Sequence, residues 1–131
     1  MKKITLFSAL GILSACATSP QGLERPEYAT TFQLDQGYQL SLKNIVDGDG
    51  ECRRGPLLPV GQVINDVHHY PDLREAKIVQ GASGVGQQIY RVISVRGIDA
   101  GTEVTVYAKH HGPKIAEQYA LWARGNRECI L

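Results

Sequence analysis

Residues 101–125 read GTEVTVYAKHHGPKIAEQYALWARG, and the change of period inside this stretch decides the fold class. Val104, Val106 and Ala108 alternate with Glu103, Thr105, Tyr107 and Lys109, so an extended segment here has one apolar and one polar face, as a half-buried strand does. From Pro113 the spacing changes. Ile115, Tyr119 and Trp122 recur every three or four residues, with Ala116, Ala120 and Ala123 beside them to let a neighbour approach closely. Pro113 suits a first helical turn, where its missing N–H is no loss, and Gly125 suits a helix end. A strand that feeds a helix in this way predicts a sheet with helices laid on it.

Working outward, residues 74–80 (REAKIVQ) and 88–96 (QIYRVISVR) read as two strands around a loop of small residues, Gly81 to Gly86. Gly97-Ile98-Asp99-Ala100-Gly101 is a further turn. Thr30, Phe32 and Leu34 share one strand face, Asp35-Gln36-Gly37 offers a turn, and Tyr38, Leu40 and Leu42 resume the alternation. A hairpin over residues 30–42 is therefore expected. Residues 47–59 (DGDGECRRGPLLP) read as irregular. Val60, Val63, Ile64 and Val67 fall at i, i+3, i+4 and i+7, which predicts a short helix ended by Pro71. Arg127 to Leu131 completes the pattern as a short last strand. The sum is α+β: an antiparallel sheet of about five strands with one or two helices packed on one face.

The first residues divide differently. Lys2 and Lys3 precede an apolar stretch, Ile4 to Leu13, that is too short to span ~30 Å of hydrocarbon as a helix. Leu13-Ser14-Ala15-Cys16 follows, and these four residues resemble the lipobox of bacterial lipoproteins. The resemblance implies export, cleavage before Cys16, and acyl chains (palmitate among them) on that cysteine. Several chains at ~0.8 kcal/mol per buried CH₂ would anchor the protein stably to a membrane. Ala17, in place of a retaining Asp, points to the outer membrane. The expected organisation is a signal peptide over 1–15, a lipidated N-terminus and flexible tether over 16–28, and a single periplasmic domain over 29–131.

The resemblance also settles how the cysteines are counted. With Cys16 carrying lipid, Cys52 and Cys129 remain as a pair in an oxidising compartment, and one disulfide between them is expected. A zinc thiolate pair is the poorer alternative, since neither cysteine has a Cys-x-x-Cys or a nearby histidine. Loss of Lys2 and Lys3 with the leader leaves twelve basic against thirteen acidic residues. A balance so near neutral argues against nucleic acid as a partner.

No combination of residues reads as a catalytic set. His68-His69 and His110-His111 are adjacent pairs, and neighbours in a chain point apart, so each pair can offer one imidazole to a common ion; no metal and no other cofactor is expected. Asp47-Gly48-Asp49-Gly50-Glu51 begins like a calcium loop but loses the spacing after Asp49. The same stretch and Gly97-Ile98-Asp99-Ala100 resemble two motifs of staphylococcal-nuclease-like domains. The threonine and proline of those motifs are missing here, so no nuclease activity is implied. Ser83-Gly84 is similar to the start of the Ser-Gly-x-x-Tyr loop of membrane-bound inhibitors of C-type lysozyme. The next tyrosine is Tyr90, too late for that motif, and the likeness extends only to size, lipidation and disulfide.

Two candidate surfaces remain. Ser83 and Gly84 form a small-residue loop that a partner could approach closely. A Cys52–Cys129 bond would also draw Arg53 and Arg54 toward Arg127 and Arg124, a possible site for an anion or an acidic partner. The expectation is a non-enzymatic, membrane-anchored lipoprotein of the outer membrane that binds another envelope protein, as an immunity protein, an inhibitor or a complex subunit. A cell-wall-binding role for the arginine patch is the alternative, and a periplasmic hydrolase comes third.

Overall fold

The computed structural model describes residues 19–52, 62–84 and 86–131. The leader, Cys16, Ala17, Arg53, Arg54 and Val60 lie outside the described residues. The elements in chain order are β1 (Ala29–Leu34), α1 (Tyr38–Cys52), β2 (Gln62–Tyr70), β3 (Glu75–Gly84), β4 (Gly86–Ile98), β5 (Gly101–Ala108) and α2 (Gly112–Ala123). All five strands join one antiparallel sheet in the order β1-β5-β4-β3-β2. The chain is α+β, and Cys52 is bonded to Cys129.

Both helices lie on one face. Leu42 and Ile45 of α1 and Tyr119 and Trp122 of α2 meet Ile78, Ile93, Val95, Val104 and Val106 of the sheet in the main core. The two helices cross closely at Gly48, where an added Cβ would stand 2.5 Å from the Trp122 ring. β5 shows the alternation read from its sequence: Val104 and Val106 are buried, and Glu103, Thr105 and Tyr107 are only half-covered.

Five expectations are corrected. Residues 38–42 are not the second arm of a hairpin but the start of α1. Its buried residues, Tyr38, Ser41, Leu42, Ile45, Gly48 and Asp49, follow the helical period, and Leu40, which alternation would bury, is 53 % exposed. Aspartates and glycines weaken this helix intrinsically. Its packing against α2 and its polar ties outweigh them. The Gln36 amide donates to Ser41 Oγ (2.9 Å) and to the Ala123 carbonyl (2.6 Å), which secures the start of α1 to the end of α2. The acidic stretch from Asp47 to Glu51 is accordingly helix, not an irregular turn.

Residues 62–70, expected as part of a short helix, are strand β2, paired along its length with β3. Val63, Ile64 and Val67 are β-branched, and their side chains suit a pleated surface better than a helical one. The tail from Arg127 to Leu131 joins no sheet among the described residues. Gln118, fully buried on α2, holds it in place of a strand: its amide donates to the Glu128 carbonyl (2.7 Å) and accepts from the Ile130 N–H.

The described part of the expected tether is also folded. Residues 20–22 and 26–28 form short 3₁₀ turns, and Leu23 is 1 % exposed. Leu23 covers the sheet face opposite the helices, in a second cluster with Val79, Ile89 and Val92 that Tyr28, Ile64 and Tyr107 border. Lys77 reinforces it through an ion pair with Glu24 at 2.6 Å. Two prolines and a glycine made this segment look unstructured, but each proline starts a turn, where a fixed φ is an advantage.

Candidate functional site

The disulfide joins the end of α1 to the tail with Cα atoms 5.8 Å apart. It closes a loop with a sequence separation of 77 residues, which chain-entropy reasoning values at about 4 kcal/mol. Arg127 lies beside it, and its guanidinium is already engaged. It donates to the Asn44 carbonyl at 2.7 Å and stands 3.8 Å from both Asp47 and Glu51. Asp47 in turn accepts a 2.7 Å bond from Lys43, and this bond, assisted by the charges of Lys43 and Arg127, holds its carboxyl below the usual carboxylate range. Arg124 is exposed, one residue past α2. The Arg127 corner is thus a balanced network of charges, with the helix α1 supplying the acids.

Ser83 and Gly84 are the last residues of β3, so the small-residue loop is mostly strand. Ser83 stands opposite Gln87 on β4 and Gln62 on β2, and Gly84 stands opposite Gly86. Below the tip the register of β3 and β4 shifts between Gln80 and Gly81, leaving Tyr90 as the extra residue of a bulge. Gly81 is required there, since a Cβ would lie 2.0 Å from the Gln88 carbonyl oxygen. Bulges re-aim side chains, and this one turns Tyr90 outward.

Between the helices and the sheet runs a buried polar chain. Gln80 donates to Asp49 (3.1 Å) and Asn65 (3.3 Å), and accepts from the Tyr119 hydroxyl (3.0 Å). It contains an acid and a phenol but no serine, cysteine or histidine nucleophile, and its members are satisfied by one another, as a specifying core network requires. His69 packs edge-on to Tyr38 with ring centroids 5.8 Å apart, while its neighbour His68 stands across from Lys77 on the opposite side of the sheet. Among the described residues no three His, Cys, Asp or Glu side chains are grouped to hold a metal ion.

β2 forms one edge of the sheet and, among the described residues, pairs only with β3. Val67 and Tyr70 on this strand are 42 % and 48 % exposed, and Leu73, in the turn that follows, is 66 % exposed. The other edge differs: β1 shows solvent Ala29, Thr31 and Gln33.

A cleft of about 580 Å³ opens where the β4 bulge, the β5–α2 junction, Leu23 and the tail meet. Its basic side chains are Arg91, Lys109, His110, His111 and Lys114, and no acidic side chain lines it. Leu23, Ile89, Ile115 and Leu131 supply an apolar wall, and the bulge residue Tyr90 flanks it. Lys109 also approaches the Tyr28 ring, 5.9 Å from its centroid. His111 occupies the left-handed region at φ 58°, just ahead of α2. The sequence reading weighs the histidine pair only as a metal site, which it sets aside, and passes over both lysines. The signal it could have used is the basic run Lys109-His110-His111 with Lys114, in a stretch whose first helical turn holds no acid.

No family model, curated protein or solved structure matches this chain.

Proposed function

We propose that the chain is an exported lipoprotein, acylated at Cys16 and held at the outer membrane, whose folded domain faces the periplasm and binds another envelope protein. The lipobox residues Leu13 to Cys16 support the anchor, and the Cys52–Cys129 bond leaves Cys16 as the odd cysteine available for lipid. The observation that carries the binding role is the β2 edge. It is nine residues long, pairs among the described residues only with β3, and displays Val67 and Tyr70, with Leu73 in the turn that follows. Such an edge invites a strand from another chain, with backbone bonds for affinity and alternate side chains for selection. Arg127, between two carboxylates, is poorly suited to the alternative of a cell-wall site built on arginines.

A photo-crosslinking residue at position 67 or 70, in cells producing the full chain, tests this reading. It should yield one discrete adduct with an envelope protein, while the same residue at position 31 on β1 yields none. No adduct at either β2 position, or identical adducts from both edges, would count against the β2 edge as the docking surface. Labelled palmitate should enter the chain and be lost in Cys16→Ser.

A further inference from the structure

We propose that the cleft at the start of α2 binds an amphiphilic anion, a phosphate or carboxylate head carrying an alkyl chain. The inference stands on the cleft and does not require acylation of Cys16.

Three independent features converge. The first is composition: five basic side chains and no acidic side chain face a wall of aliphatic residues, within a volume that suits a small organic ligand. Such a lining complements a ligand with both a charged and an apolar end. A plain anion would leave Tyr90, Ile115 and Leu131, which still show apolar surface, unused, and a neutral lipid would leave the basic groups unanswered.

The second feature is electrostatic. The N-terminal end of a helix carries a partial positive charge and favours acids in its first turn. α2 has no acid in its first turn, and Lys109, His110, His111 and Lys114 crowd that end instead. For the folded protein alone this placement is unfavourable. An anion in the cleft turns every one of these charges, and the helix end itself, into an attraction. The third feature is the backbone. His111 adopts a left-handed conformation that a side chain with a Cβ rarely takes, at the point where the chain turns from β5 into α2.

The geometry also sets an order in space. Leu23, part of the cleft wall, is seven residues beyond Cys16 in the sequence, so a lipid on that cysteine would keep the cleft within about 25 Å of the bilayer surface. If the proposed anchor holds, membrane lipid is the nearest source of such an amphiphile, and the experiment separates that source from a free one.

The full chain is titrated with dodecyl phosphate below its micellar concentration, followed by calorimetry. One molecule should bind per chain, with inorganic phosphate and dodecyl maltoside each weaker by at least about fiftyfold, since one lacks the tail and the other the charge. Lys109→Glu/Lys114→Glu should weaken binding at least about tenfold with the near-ultraviolet circular dichroism unchanged. Lys114→Gln should weaken it less, and Arg124→Glu, an exposed cation outside the cleft, should leave it alone. Competition by vesicles of phosphatidylglycerol assigns the ligand to the bilayer, and binding without such competition assigns it to a free amphiphile; both uphold the cleft. Absence of binding, equal binding of phosphate or of the maltoside, or equal binding by the cleft variants and Arg124→Glu would overturn the proposal.

Discussion

Two basic regions of this molecule stand in contrast. At the disulfide corner, Arg127 is flanked by Asp47 and Glu51 and bonded to the Asn44 carbonyl, so its charge has partners within the fold. At the start of α2, Lys109, His110, His111 and Lys114 line a cleft that no acidic side chain shares. The first arrangement ties the tail to α1. The second sits against the helix dipole. The contrast teaches that the number of cations in a patch says little about its role. Whether the fold itself answers those cations says more, because local rules are broken mainly where a ligand repairs them.

The largest effect should come from unlinking the balanced corner. Cys52→Ser/Cys129→Ser should lower stability by about 4 kcal/mol, in proportion to the length of the closed loop. Chemical denaturation under non-reducing conditions measures it. A loss below about 1 kcal/mol would mean that Gln118 and Arg127 hold the tail without the bond.

These two regions also differ in how far the sequence reveals them. The disulfide was legible because the lipobox resemblance sets Cys16 apart and leaves two cysteines to pair. β5 and α2 were legible because their signals are local: strict alternation, then Pro113 and Gly125 around a 3.6-residue period. β3 and β4 were legible for the same reason, apart from the bulge that Gly81 imposes. α1 was not, because Tyr38, Leu40 and Leu42 fit alternation while Tyr38, Leu42 and Ile45 fit a helix, and only packing against α2 chooses between them. β2 failed in the opposite direction, where an i, i+3, i+4, i+7 spacing of β-branched residues imitated a helical stripe. The cleft was invisible for a different reason. Its wall draws on residues 23, 89–91, 109–115 and 131, and no pattern within any one segment announces that the four meet.

A smaller effect tests the arginine itself. Arg127→Glu removes the bond to the Asn44 carbonyl and sets a third acid beside Asp47 and Glu51. With the guanidinium one-third exposed, solvent softens the repulsion, and a loss of about 1–2 kcal/mol is expected in the same denaturation assay. An unchanged midpoint would make the network ornamental. Gly48→Ala probes the crossing that positions α1 for this corner. Its Cβ would meet the Trp122 ring, and although alanine favours helix, a net loss of about 1–2 kcal/mol should appear.

The pH response should separate the corner further. Because the Lys43 bond lowers the Asp47 pKa in the folded state, its contribution is present above the ordinary carboxylate range. It is lost as pH falls through that lowered value. Asp47→Asn should therefore narrow the stability difference between neutral and acidic solution, as read from denaturation midpoints. A variant that loses stability toward acid as steeply as the parent would assign the dependence to other carboxylates.

The smallest expected change is the most telling. In the absence of any amphiphile, Lys114→Glu should raise the denaturation midpoint, gaining about 0.5 kcal/mol as an acid replaces a cation in the first turn of α2. A basic residue whose reversal stabilises the free fold is one the fold does not need, in contrast to Arg127. If Lys114→Glu instead lowers the midpoint, as Arg127→Glu should, then the cations of the cleft are answered within the protein and the account of them as a ligand's partners is contradicted.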